Sequence, residues 1–430
     1  MHLIIFSNIL TPRIKYIFNF IFKDILKAEL EFTGNSQYFL QNEHIKISYG
    51  EEPLGDELFF KRTALLFSNK LEEIKPKTIL FGEYQAPFPV AQSALPFDVF
   101  AASFFILSRY EEYFYPKKNE EEFRPSKSHQ HKWKILDKPV IDEWALIIKS
   151  LIKKKHPHFK FHEKNFQHQP TVHFNILPNL PEGLLNRTKF IFSAIFKKDN
   201  NYLSSKFDRL TGVGINNEQV LDEVNQLFSS KKSNPLYFVD FPDVPINYIR
   251  INGVSQILSN QSVGLLRPCA SDKQKMLEIK EGLVKLKKIN PNPAPVSSQQ
   301  LEVLKFPICY LNILNSGITS DYSMGYSNVP GFRAGTCTPF NWYDLQLEKV
   351  TPLIVNSYCF TDYILQFLTH EAATKTIHQY IDAVKVVNGT FYSSWSLKSL
   401  SSNAKYKKLK LLFKEMLEYA GIDFNLTYPA

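Results

Sequence analysis

Two imidazoles stand one residue apart in Ser128-His129-Gln130-His131, a spacing at which a loop can offer a pair of nitrogen ligands to a transition metal. Lys127 and Lys132 flank the pair, so a solvated basic turn is the competing reading and the favoured one. Gly212-Val213-Gly214 is a fragment of a phosphate-cradling loop that lacks the rest of a dinucleotide fingerprint. The four cysteines, Cys269, Cys309, Cys337 and Cys359, form no C-x-x-C pair and no zinc-ribbon spacing, which predicts reduced, partly buried thiols. No serine or cysteine stands in a nucleophile motif with a paired histidine and acid.

The elements that must position any such chemistry begin with Leu3 to Phe6, an apolar run that reads as a buried strand. Thr11-Pro12 then supplies an N-cap and a first-turn proline. Ile14, Ile17, Phe18, Ile21, Phe22 and Ile25 recur on one helical face, predicting an amphipathic helix over Arg13 to Leu26. With a strand over Ala28 to Thr33 this is a β-α-β opening. A helix is expected within Phe97 to Phe104, an exposed charged loop over Tyr115 to Lys132, and a second helix over Val140 to Lys155.

The pattern restarts at Thr171 to Leu177, placing a domain boundary near residue 160. Strand-like runs at Leu236 to Phe241, Gly264 to Leu266, Pro352 to Val355 and Thr390 to Trp395 follow. They alternate with helical runs at Glu218 to Phe228, Lys273 to Lys288, Gln299 to Lys305, Phe360 to His370 and Glu371 to Val386. Such alternation favours a parallel sheet or a (β/α) barrel. Tyr406, Leu409, Leu412, Phe413, Met416 and Leu417 share one face of a last helix, read as a docking face.

A chain of 430 residues with 44% hydrophobic content, 36 Phe and 21 Tyr can bury more than one core. The net charge of +9 is dispersed; its densest parts, Lys153 to Lys155 and Lys405, Lys407, Lys408 and Lys410, fall on predicted helices. That footprint argues against nucleic-acid binding. Met1 to Phe6 is too short for a membrane span and lacks the marks of a signal peptide, so the expectation is a cytoplasmic protein with no membrane span.

Asp321-Tyr322-Ser323-Met324-Gly325-Tyr326, Gly331-Phe332-Arg333-Ala334-Gly335-Thr336 and Pro339-Phe340 carry a resemblance, together with Phe97 to Tyr113, Lys138 to Ala145 and Trp342-Tyr343-Asp344-Leu345. The chain resembles a bacterial, Bacteroidetes-type polysaccharide deacetylase-like family with an extra N-terminal α/β domain. The resemblance covers nearly the whole chain. It implies an α/β protein with a small N-terminal α/β domain of unknown role over residues 1–160. Residues 161–430 would form a distorted (β/α) barrel of the NodB-homology type, ending in the amphipathic helix. The chemistry implied is metal-assisted hydrolysis of N-acetyl groups on sugars. One Asp and two His would bind a divalent metal such as zinc, a second Asp would act as base and a His as acid.

Position by position, those side chains are missing. The family's Thr-x-Asp-x-Asp motif falls on Thr171-Val172-His173-Phe174-Asn175, so both carboxylates are gone. Gly264-Leu265-Leu266-Arg267-Pro268-Cys269 places Leu266 where a histidine ligand belongs, and leucine has no lone pair to donate. Ser396 in Trp395-Ser396-Leu397-Lys398 replaces the general acid, and Ser298-Gln299-Gln300 replaces an Arg-Gln-His triplet expected in a helix before Ile318. The retained pocket candidates are Asp321, Arg333, Trp342, Asp344 and Asp362, with Arg333 expected to pair with Asp321 or Asp362.

The reading is a catalytically inactive deacetylase-like protein, with no metal or other cofactor, acting as a binding or partner protein in a cell-surface glycan pathway, its partner a glycan or a protein of that pathway. Two alternatives stand beside it. One is an active metal-dependent N-deacetylase with a remodelled site, using His173 and one of Asp321, Asp344 or Asp362. The other is a scaffold whose basic C-terminal helix meets an acidic partner.

Overall fold

The computed structural model describes residues 2–115, 123–176, 215–228, 234–242, 249, 251–266, 273–299 and 304–421. Two sheets organise them. The first has four parallel strands, β1 (Leu3–Phe6), β2 (Leu30–Thr33), β3 (Ile45–Gly50) and β4 (Leu58–Lys61), in the order β2-β1-β3-β4. A separate hairpin, β5 (Thr78–Phe81) and β6 (Tyr84–Pro87), follows.

Thr11 caps the first helix as its side chain accepts from the Ile14 amide, and Pro12 occupies the first turn. The α-helix Pro12–Asn19 continues as a π-helical turn, Phe20–Ile25. Ile14, Ile17, Phe18, Ile21, Phe22 and Ile25 are all buried, as their spacing requires. The helix Val99–Leu107 is buried on every side, the property of a helix enclosed within a core rather than lying over one. Asp98 caps it by accepting from the Ala101 amide, and Phe100 stacks on Phe18 with ring centroids 3.8 Å apart.

The second sheet contains β7 (Gln167–Asn175), β8 (Leu236–Asp240), β9 (Val263–Leu266), β10 (Val296–Ser298), β11 (Ser320–Met324), β12 (Phe340–Asp344), β13 (Lys349–Ser357), β14 (Phe360–Thr361) and β15 (Thr390–Ser396). Its order is β12-β13-β11-β10-β9-β8-β7-β15-β14, parallel throughout except for the β12–β13 hairpin. Neighbouring strands lie about 4.8 Å apart, so six steps from β15 to β13 would span roughly 29 Å in a flat sheet. The Tyr392 hydroxyl on β15 nevertheless donates to Asn356 Oδ1 on β13 at 3.0 Å. The sheet is therefore curled into a half-barrel, with Tyr392 and Asn356 on its concave face.

One apolar cluster runs through both sheets. Phe20 meets Phe340, and Tyr16 meets Tyr343, joining the first helix to β12. Arg13, fully buried, grips Glu348 with two hydrogen bonds of 2.8 and 2.5 Å.

Several expected elements are present with shifted ends. The helix Val140–Lys155 matches its expected bounds, and the last helix runs Lys407–Ala420. Its stripe of Leu409, Leu412, Phe413, Met416 and Leu417 is buried within the chain, so the docking is intramolecular. Other expectations are corrected. Within the supposed exposed loop Tyr115 to Lys132, a short helix His129–Lys132 forms and Gln130 is buried, because its side chain bridges Arg109 and the Phe332 carbonyl. The run Phe360 to His370 is not one helix: β14 occupies its start, followed by the short helix Asp362–Leu365. Ser298 lies on β10 rather than on a helix, and residues 300–303 of the expected helix Gln299 to Lys305 lie outside the described residues. Gly212 to Gly214 and Arg267 to Cys269 also lie outside them.

Among the described residues no helix is long and apolar enough to cross a membrane.

Candidate functional site

In paired parallel strands, residues in register share a face. His173 is in register with Phe238 on β8 and with Ser396 on β15, and Phe238 with Gly264 on β9. Thr171, His173 and Asn175 thus point to the concave side along with Ser394, Ser396 and Tyr392. The rings of His173 and Phe238 lie 5.3 Å apart, those of Phe238 and Tyr322 5.5 Å, and those of Tyr322 and Tyr392 5.7 Å. Asn356 Nδ2 donates to Ser320 Oγ at 2.8 Å. This aromatic and amide layer fills the middle of the half-barrel, as side-chain layers fill closed (β/α) barrels.

The carboxyl ends of the strands, where parallel α/β sheets place their sites, carry Asn175, Asp240, Leu266, Ser298 and Ser396 above that layer. His173 is buried, with its Nε2 3.2 Å from Thr171 Oγ1. Asp362, at the end of β14, accepts from the Ser396 amide at 2.8 Å. Burial raises its carboxyl pKa against the hydrogen bonds that stabilise the charged form.

Asp240 was not singled out by sequence reasoning. It is in register with Asn175 and ends β8 on the same face as His173. The available signal was a single acid closing the apolar run Leu236-Tyr237-Phe238-Val239.

The other retained candidates do not join this rim. Asp321 is in register with Ser297, which pairs with Leu265, so it lies on the convex face, opposite His173. There it accepts from Ser297 Oγ at 3.0 Å, Ser323 Oγ at 2.7 Å and the Ser323 amide at 2.9 Å. Complete burial pushes its pKa up to about 6, with those hydrogen bonds opposing the shift. Asp344 accepts from the amides of Gln346 and Leu347 and so closes the β12–β13 turn. Trp342 is buried against Tyr310 with centroids 5.4 Å apart.

Arg333 pairs with neither expected aspartate. Its partner is Glu112, at 2.6 and 3.0 Å, and its third hydrogen bond reaches the Gly325 carbonyl. Arg109 binds the same Glu112 carboxylate at 2.7 Å. Nearby, Asp142 accepts from Thr336 Oγ1 at 2.5 Å, Thr338 Oγ1 at 2.5 Å and the Cys337 amide at 3.1 Å. The segment Gly331 to Thr336, which carries part of the family resemblance, therefore fastens the N-terminal elements to the half-barrel.

The His129/His131 pair is also accounted for locally. His129 Nδ1 lies 2.5 Å from Glu111, while the His131 amide donates to the Ser128 cap. Among the described residues no three His, Cys, Asp or Glu side chains gather as a metal centre would require. Among the described rim residues the donors do not make up the set a catalytic divalent ion needs: Leu266 offers no lone pair, Asn175 and Ser396 are neutral, and the carboxylates of Asp240 and Asp362 do not gather with two further ligands.

Residues 3–157 match a family of unknown function, DUF7033. No curated protein matches the chain. Among solved structures, a protein from Mycobacterium smegmatis provisionally named a polysaccharide deacetylase is similar at 10% identity, with a TM-score of 0.38 over 62% of this chain and 87% of that one.

Proposed function

We propose that the chain is a polysaccharide deacetylase-like protein that has lost deacetylase chemistry and serves as a binding or partner protein in a glycan pathway. Residues 1–160 form its N-terminal α/β domain and residues 161–430 its deacetylase-like domain. The observation that carries this reading is the strand-end register. Positions where the family needs two carboxylates, a histidine ligand and a histidine acid hold His173, Asn175, Leu266 and Ser396, while the retained Asp321, Arg333 and Asp344 are engaged in structural bonds elsewhere. Metal-assisted amide hydrolysis needs an open coordination position, a Lewis-acidic ion and a base in one place. Asp240 and Asp362 leave two carboxylates at the rim, but among the described residues neither gathers with two further His, Cys, Asp or Glu side chains as such a set requires.

The test is metal analysis of the purified full chain, with acetate release from N-acetylated oligosaccharides measured alongside. Substoichiometric metal and no acetate are expected. Stoichiometric zinc with turnover would overturn the reading in favour of a remodelled hydrolase. A variant carrying His173→Asp, Asn175→Asp, Leu266→His and Ser396→His should bind zinc more tightly than the parent if the frame descends from an enzyme.

A further inference from the structure

The hairpin β5–β6 pairs with neither larger sheet and forms a ribbon of its own. It is held in place from one side: Phe81 meets Phe97 with ring centroids 5.1 Å apart, Trp144 Nε1 donates to the Tyr84 hydroxyl at 2.7 Å, and Ala86 is buried. The outer edge of β6 is occupied, because the Gln85 amide donates to the Trp133 carbonyl at 3.0 Å. The outer edge of β5 is open. Just before β5, the Lys77 carbonyl accepts from the Phe88 amide at 2.9 Å. Hydrogen-bonded and non-hydrogen-bonded pairs alternate along an antiparallel ladder, so Lys77, Ile79 and Phe81 bond inward across the hairpin. Thr78 and Leu80 therefore turn their backbone N–H and C=O groups outward, and among the described residues no hydrogen bond reaches those groups.

The side chains leave this edge unguarded as well. Thr78, Ile79 and Leu80 are all exposed, Leu80 at 66%, and none of the 4 residues of β5 is charged or proline. Edge strands are ordinarily blunted by charge, proline or a bulge, and an open apolar edge templates pairing with another strand. Here the exposed cations Lys75 and Lys77 lie before the strand and the exposed Glu83 lies beyond it.

That polarity selects the occupant. A second copy can meet the edge antiparallel across a two-fold axis. Outward groups then face outward groups: Thr78 lies opposite Leu80 of the second copy, each such pair exchanging both backbone bonds, and Ile79 lies opposite its own equivalent on the axis. Glu83 of each copy falls beside Lys75 and Lys77 of the other, so unlike charges meet at both ends. The pairing uses up the β5 edge in each copy, and the Gln85–Trp133 bond closes the far side of β6. Assembly therefore ends at a closed dimer rather than a fibre.

We propose that the open edge of β5 is a homodimer interface, on which β5 of a second copy of this chain adds as an antiparallel strand. The contact is small beside the roughly 1,600 Å² of a standard interface, so the dimer dissociates on dilution. It stands apart from the rim, and its failure would leave the partner-protein reading untouched.

The experiment is sedimentation equilibrium of the full chain over about a hundredfold range of concentration. The mean mass should rise from one chain towards two. Thr78→Pro removes an outward N–H while leaving the bonds to β6 in place, and should weaken association by roughly tenfold with an unchanged melting temperature in dilute solution. Glu83→Lys should also weaken it, and adding Lys75→Glu and Lys77→Glu to that chain should restore it. Facing residues of a non-hydrogen-bonded pair have Cβ atoms about 4.5–5.5 Å apart, so Ile79→Cys should yield a disulfide-linked dimer on oxidation where the parent yields none. A monomer at every concentration overturns the inference. So does a dimer indifferent to Thr78→Pro, which would place the contact elsewhere, a charge reversal without rescue, or an Ile79→Cys chain that does not cross-link.

Discussion

Glu112 and Arg333, 221 residues apart in sequence, form a buried two-point pair with contacts of 2.6 and 3.0 Å. Arg109, in a left-handed backbone conformation at φ 54°, closes on the same carboxylate. Burial acts to raise the Glu112 pKa, but Arg333 and Arg109 outweigh it and hold the group below its ordinary range. The stability it contributes is thus present above the unfolded-state pKa and lost as pH falls through the folded one. Glu112→Ala leaves two guanidinium groups buried without their shared anion and should cost about 3–5 kcal/mol in urea unfolding at pH 7. Replacing Glu112, Arg109 and Arg333 together by Met should be less damaging than Glu112→Ala alone, since no orphaned charge remains. A loss below about 1 kcal/mol in Glu112→Ala would show that the pair is not the fastening it is taken to be.

Asp321 behaves in the opposite sense. Its folded pKa, pushed up to about 6, exceeds the ordinary aspartate value of 3.8, so the native state binds more protons than the unfolded chain between those two values. Stability therefore falls as pH rises through that window, by about 3 kcal/mol at most. Asp321→Asn keeps an acceptor for the Ser323 amide and removes the charge. The variant should match the parent near pH 4 and exceed it near pH 8 in chemical denaturation. Equal pH profiles for the two proteins would contradict the assigned titration.

Helices and strands set by local patterns were legible in the sequence: the Ile14 to Ile25 stripe and the Thr11-Pro12 cap both specify structure within a few residues. What could not be read is long-range partnership. Arg333 sits close in sequence to Asp321 and Asp362, yet its partner comes from the turn after the buried helix Val99–Leu107, because chain order does not encode which surfaces meet. The face of Asp321 was equally hidden: only the register from Ser297 through Leu265 reveals that it and His173 lie on opposite sides. The side chains at the strand ends, Asn175, Leu266 and Ser396, could be read directly, since each is a matter of residue type at one position.

The last helix offers a contrast between neighbouring positions. Phe413 is fully buried, its ring 5.0 Å from Trp395 and 6.2 Å from Phe228, whereas Leu411 is half exposed. Phe413→Ala removes an aromatic from the junction with β15 and should cost about 3–5 kcal/mol. Leu411→Ala should stay within about 0.5 kcal/mol of the parent. Thermal melts followed by tryptophan fluorescence check both, because Trp395 reports directly on the Phe413 contact. Equal effects at the two positions would mean that the helix does not dock by this face.

Gly264 sits beneath the rim where a side chain has no room. A Cβ there would lie 2.5 Å from Val296 Cγ2, 2.7 Å from Phe238 Cε1 and 2.8 Å from the Val296 carbonyl oxygen. The Phe238 ring can turn, but it already contacts His173 and Tyr322, so the displacement would pass into the central layer. The carbonyl belongs to β10 and cannot move without loosening its pairing with β9. Gly264→Ala should therefore cost about 1–3 kcal/mol and shift the His173 ring resonances. Adding Val296→Ala removes the methyl contact but leaves the carbonyl in place, so the double variant should not regain the parent's stability. Full recovery in urea unfolding would locate the crowding in the Val296 side chain alone and remove the case for backbone approach at this glycine.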